Sequence, residues 1–288
     1  MAQLFKEMEE KYIETNGIKL HTMMIGSGEP IIMLHGFPDF WYGWRDIIMG
    51  LKNEYKVITP DMRGYNLSDK PKGVENYQLD IMVEDIKGLS EALNLGKFYL
   101  AGHDWGAPIA WAVAEKYPEL VKKLIICNGV HLQASRKVYE RDEKQRKASS
   151  YIDMFTKPGA SQRLMQNNFQ FLKFAILGLV NRKGAISEFD LERYVEAWSQ
   201  PGAVNGGLEY YRAARLSMDK FMEGFTGIVN VPTLVIHGKK DPAILPQTLK
   251  NLEEYVKDLK IVYIENASHF VMADAPEIVI ANIKKFIG

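Results

Sequence analysis

A chain of 288 residues, 47% of them hydrophobic, is long enough to bury a full core, either as one large α/β domain with an insertion or as two domains. Its 36 basic residues balance 36 acidic ones, so the bulk charge gives no reason to expect nucleic acid or an anionic membrane as partner. A small, roughly neutral substrate fits better, and nothing in the totals decides between a monomer and a homodimer.

The N-terminal stretch "MAQLFKEMEEKYIETNG" is charged and lacks the apolar core of a secretory leader. The single cysteine, Cys127, rules out an intramolecular disulfide, and both features suit a reducing, cytoplasmic compartment. Further along, "PIIMLHG", "KVITPD", "KFYLAG" and "KLIICNG" read as short buried strands separated by helical patterns, and "PTLVIHG" and "KIVYIEN" resume the series much later. Strands alternating with helices imply a mostly parallel sheet covered on both faces, with ligands bound at the carboxyl ends of the strands. The alternation breaks from about His131 to Ser217, where "FQFLKFAILGLV", "DLERYVEAWSQ" and "LEYYRAARLSM" read as helices. The expected organisation is therefore a core in two parts, 1–130 and 218–288, with a helical cap over 131–217. The run "FQFLKFAILGLV" falls short of the roughly 20 residues a bilayer-spanning helix needs. It reads as a buried helix, with contact at a membrane surface as the minor reading. No Gly-x-Gly-x-x-Gly follows a strand and the six histidines lack the spacing of a zinc site, so neither a cofactor nor a metal is expected.

The chemistry gathers at strand ends. In "KFYLAGHDWGAPIAWAVAEKYP" the pentapeptide Gly102-His103-Asp104-Trp105-Gly106 joins a strand to a helix in the pattern glycine, x, nucleophile, x, glycine, with Asp104 in the nucleophile position. A helix-capping aspartate would look the same in isolation. Three further segments argue for more. His35-Gly36-Phe37-Pro38 follows the first of these strands, so that backbone N–H groups near Phe37 and Trp105 are candidates for an oxyanion hole. Asp241 follows "PTLVIHG", and His269 follows "KIVYIEN", giving the order nucleophile, acid, histidine. The loop after "KLIIC" offers Asn128 and no acid, which leaves Asp241 as the residue to orient His269. His35, His103 and His237 read as structural histidines held by local hydrogen bonds.

An aspartate is already ionised near neutral pH, and its carboxylate can displace a leaving group at a saturated carbon to give an alkyl ester. Water activated by a histidine can then hydrolyse that ester at its own carbonyl. On an acyl substrate the same attack would give an anhydride, a poor route. The residue type therefore points to an epoxide or a haloalkane.

On the segments "HGFPDFWYGWR", "DMRGYNLSDKP", "GHDWGAPIAW", "KKD" and "SHF" the chain resembles the α/β-hydrolase-fold epoxide hydrolases along nearly its whole length. The resemblance implies an α/β-hydrolase core with an inserted helical cap, an apolar epoxide and water as substrates, and vicinal diols as products. It further implies two cap tyrosines that hold the epoxide oxygen. The first precedes a Phe-x-x-Pro-Gly stretch and selects Tyr151; the second stands before an arginine and selects Tyr211, with the adjacent Tyr210 the weaker candidate. Two other readings stay open. Haloalkane dehalogenases share the Asp-Trp-Gly elbow, although Phe37 stands where many of them place an asparagine, and Trp105 stands where haloacid dehalogenases carry arginine. A ligand-binding protein that kept the fold and lost the chemistry is the other.

Overall fold

The computed structural model describes residues 6–288; the first five residues of the charged stretch discussed above lie outside the described residues. The rest of that stretch opens a hairpin that the apolar runs do not announce. β1 (Glu9–Thr15) and β2 (Ile18–Ile25) pair antiparallel across Asn16 and Gly17, whose φ values of 45° and 75° give a turn that matches the twist of paired strands.

The six runs read as strands are strands: β3 (Glu29–Leu34), β4 (Tyr55–Pro60), β5 (Phe98–His103), β6 (Val121–Cys127), β7 (Thr233–Gly238) and β8 (Leu259–Ile264). Among the described residues one sheet forms, ordered β1-β2-β4-β3-β5-β6-β7-β8, parallel from β4 to β8 and antiparallel where β2 meets β4. Every residue of β5 and β7 is buried, as expected for central strands with helices on both faces. The covering helices are α1 (Arg45–Leu51), α2 (Leu79–Ala92) and α3 (Gly106–Lys116), joined near the C-terminus by two more described below. Each fully buried Ile, Leu or Val of this core contributes about 1.5–3 kcal/mol relative to exposure.

Between β6 and β7 the chain is helical: α4 (Leu132–Arg141), α5 (Glu143–Ala148), α6 (Tyr151–Thr156), α7 (Ala160–Gly178), α8 (Glu188–Trp198), α9 (Ala203–Leu216) and α10 (Met218–Phe221). α7 is broken at 166–169, where Asn167, Asn168 and Phe169 adopt left-handed backbone conformations. The chain closes with α11 (Val271–Asp274) and α12 (Pro276–Ile287).

Polar ties hold this helical insertion onto the sheet domain. The Tyr42 hydroxyl donates to Asp190 at 2.6 Å, and Arg45 approaches the same carboxylate at 3.1 Å while donating to the Ala185 carbonyl at 2.9 Å. Asp190 also completes a capping box with Ser187 at the start of α8. The Trp198 indole donates to the Pro38 carbonyl at 2.6 Å. His131, just before α4, donates through Nε2 to the carbonyl of Gly227, which follows α10, at 2.9 Å.

Candidate active site

Phe37, Asp104, Asn128, Asp241 and His269 each lie just past the carboxyl end of a strand, from β3, β5, β6, β7 and β8 respectively. This is the edge at which open α/β sheets bind ligands. Asp104 has φ of 48°, a left-handed conformation uncommon for a residue with a side chain, so it sits on a strained turn between β5 and α3. Its neighbours make room for that turn. A Cβ on Gly106 would strike the carbonyl oxygens of Leu34 and His35, and a Cβ on Gly36 would strike the Asp104 carboxylate itself.

The backbone N–H of Phe37 donates to Asp104 Oδ1 at 2.7 Å. On the other side His269 Nε2 lies 3.5 Å from Asp104 Oδ2, while His269 Nδ1 lies 2.8 Å from Asp241 Oδ2. Asp241 is gripped by three further donors: Asn128 Nδ2 at 2.7 Å, and the N–H groups of Ala243 and Ile244 at 2.8 and 2.9 Å. Asn128, seen in the sequence only as the residue that is not an acid, also accepts from the Gly238 N–H at 2.8 Å, so one side chain joins the ends of β6 and β7.

Burial opposes the charge on all three groups, and their mutual attraction outweighs it. His269 is held up to about 10 by Asp241 and Asp104, against the desolvation that alone would lower it. Asp241 is lowered to about 2 despite its burial, chiefly by the charge and hydrogen bond of His269. Asp104 is lowered as well, desolvation again being overcome by His269. The resting arrangement is thus an imidazolium between two carboxylates.

The other histidines divide from this one. His35 donates through Nδ1 to the Gly36 carbonyl at 2.9 Å and accepts from the Met62 N–H at 3.0 Å, so it braces the loop that carries Phe37. His103 donates through Nε2 to the His269 carbonyl at 3.0 Å, and burial pushes it down to about 3. His237 is buried in β7, which pushes it down to about 4. The loop bearing His269 has a second anchor that sequence reading passes over: Asp274 accepts from the Ser268 N–H at 2.6 Å and from the N–H groups of Asn181 and Arg182.

The cap supplies the roof. The rings of Tyr151 and Tyr211 lie 6.2 Å apart, and the Tyr211 ring stands edge-on to Trp105 at 5.0 Å. Burial raises both tyrosines, and the charge of Asp104 raises them further, so both hydroxyls keep their protons while standing within the field of that carboxylate. Tyr210, the neighbouring candidate, faces elsewhere: its hydroxyl donates to the Arg63 carbonyl at 2.8 Å. The Phe37 side chain joins the apolar wall, 5.3 Å from Phe155 and 5.7 Å from Tyr211. Among the described residues no group of His, Cys, Asp and Glu is placed to hold a metal ion.

Comparison with known proteins agrees with this architecture. The model of a family described as alpha/beta hydrolase fold matches residues 29–276. Epoxide hydrolase 4 of Homo sapiens is 35% identical over 277 residues, spanning 93% of this chain and 75% of that protein. AB hydrolase superfamily protein YfhM of Bacillus subtilis (strain 168) is 37% identical over 273 residues, spanning 93% and 94%. The crystal structure of Bacillus megaterium epoxide hydrolase in complex with an inhibitor superposes with a TM-score of 0.90 at 34% identity, covering 96% of this chain and 99% of that one. By sequence and by fold, the chain belongs to the epoxide hydrolases of the α/β-hydrolase fold.

Proposed function

We propose that this protein hydrolyses small apolar epoxides to vicinal diols through an ester on Asp104. The observation that carries the reading is an ionised, largely enclosed carboxylate on a strained turn with two protonated cap tyrosines in its field. In the first step Asp104 attacks an epoxide carbon; the C–O bond of the ring breaks, and the departing alkoxide takes a proton from Tyr151 or Tyr211. The tyrosine left without its proton recovers one from the His269 imidazolium, leaving a neutral imidazole. In the second step that imidazole takes a proton from water, whose oxygen attacks the ester carbonyl. The Phe37 N–H already rests on the carboxylate oxygen that would become the oxyanion, and the Trp105 N–H would be its second donor. Collapse returns Asp104 as carboxylate, His269 as imidazolium and the substrate as diol, with one water consumed.

Phe37 weighs against halide release, since its side chain contributes an apolar ring and no donor where the leaving group would sit. A single buried cysteine, its thiol pushed up to about 12 by desolvation, fits a cytoplasmic setting.

The test is a single turnover in ¹⁸O-labelled water with excess enzyme and styrene oxide as probe. The heavy oxygen should appear in the peptide containing Asp104, and the first diol should be unlabelled. Label in the first diol alone would mean direct attack by water. Halide release from haloalkanes outpacing diol formation would favour the dehalogenase reading instead.

A further inference from the structure

The balance of charge over the whole chain conceals a local imbalance. Residues 154–187 contain five basic side chains, Lys157, Arg163, Lys173, Arg182 and Lys183, and no acidic one. The second half of α7 lies in this stretch and turns an apolar face to solvent: Phe174 is 63% exposed, Phe171 43% and Leu177 40%. These residues recur at three-residue steps on one side, while Leu172 and Ile176 on the other side are buried. A phenylalanine nearly two-thirds exposed, beside two more large apolar groups on one helix face, is not required by the core. Among the described residues no carboxylate pairs with Lys157, Lys173 or Lys183.

We propose that this face of the cap docks on the surface of an anionic phospholipid membrane, with Phe171, Phe174 and Leu177 at the acyl boundary and the flanking lysines at the headgroups. Aromatic and leucine side chains on an exposed helix face, with Lys173 on the same helix and Lys157 and Lys183 beyond its two ends, are the chemistry of interfacial binding. No helix of the described residues is long and apolar enough to cross a bilayer, so the contact is peripheral. A second copy of the chain fits the charge less well. A two-fold interface presents the same patch from both sides, so the cations would face their own copies. The apolar face is also continuous with the interior: Phe171 lies 6.5 Å from Phe155, whose ring is 5.2 Å from Tyr211. Docking rests on the surface chemistry alone and is independent of the reaction proposed above.

The experiment is co-sedimentation of the full chain with vesicles of equimolar phosphatidylglycerol and phosphatidylcholine, against vesicles of phosphatidylcholine alone, at low and high salt. Binding should favour the anionic vesicles and weaken with salt. It should fall about fivefold for each of Lys173→Gln and Lys183→Gln, from the free energy of one lysine near an anionic surface. Phe174→Ser should also weaken it, with circular dichroism and melting temperature unchanged. Size-exclusion chromatography runs in parallel. The proposal is overturned by absence of binding to either vesicle, by binding that ignores these substitutions, or by a dimer that Phe174→Ser splits without any vesicle binding.

Discussion

Replacing His269 by glutamine separates the two steps of the proposed reaction. The substitution removes a buried cation, yet it leaves neither carboxylate stranded. Asp241 keeps Asn128 and the N–H groups of Ala243 and Ile244 as donors, and Asp104 keeps the N–H of Phe37. The variant should therefore fold. Alkylation needs an ionised Asp104 and a donor for the alkoxide; the donors are untouched, and Asp104, though it gives up the His269 charge that lowers it, keeps the Phe37 N–H that favours its anion. Hydrolysis of the ester needs a base, which glutamine cannot be. A positioned general base is typically worth about 10²–10⁴ in rate, or roughly 3–5 kcal/mol of barrier, and the whole of that loss should fall on the second step. The ester should accumulate after one turnover. Intact-protein mass spectrometry after incubation with styrene oxide should show one added epoxide mass, and peptide mapping should place it on Asp104. An adduct on another residue, no adduct despite an active unmutated protein, or steady turnover at the unmutated rate would refute the reasoning.

The cap tyrosines give a second prediction: Tyr151→Phe or Tyr211→Phe alone should slow alkylation substantially, and the double variant should lose about 10²–10⁴-fold in a pre-steady-state assay. The third concerns pH and stability. Because His269 is raised to about 10, its contribution is complete below the ordinary imidazole value and is lost as pH rises through about 10. The melting temperature should thus fall across that alkaline window, and the fall should be smaller in His269→Gln. The fourth lies away from the site, where Arg63 forks onto both oxygens of buried Asp85 at 2.5 and 2.6 Å. Arg63→Ala should cost about 3–5 kcal/mol in urea denaturation, because it removes the cation paired with a buried carboxylate and leaves it the Asn16 amide at 3.0 Å as a neutral donor.

The parallel strands were legible because a strand buried on both faces must be apolar at nearly every position, and short apolar runs between turn residues say so directly. The N-terminal hairpin was not, because its first strand is exposed along most of its length and reads as a charged tail. Its signal was the dipeptide Asn16-Gly17 between two runs of strand-forming residues, a pattern with its own physical basis. The residues aligned at strand ends could be paired by chain order, but what braces them could not. Asn128 joins two strand ends through one amide, and Asp274 holds the loop of His269 from six positions away. Neither belongs to a motif; both act through distances that only the fold sets. Tyr210 and Tyr211 make the same point. Neighbours on a helix point about a third of a turn apart, and packing alone decided that Tyr210 turns to the Arg63 carbonyl and Tyr211 to Trp105.

The position of His269 between two carboxylates also bears on the order of events in the proposed reaction. A base held up to about 10 is protonated at neutral pH and is useless as a base. Two anions keep it so, and only Asp241 is permanent. Asp104 would lose its charge on becoming an ester, and with it would go one of the two carboxylates whose attraction opposes desolvation of His269. The imidazole then sits in a buried site with one carboxylate in place of two, and its proton is released more readily. The tyrosine that gave its proton to the opened epoxide is at that moment the group that needs one. In the proposed reaction, spending the nucleophile would therefore create the base: water would be activated only when an ester is present to receive it.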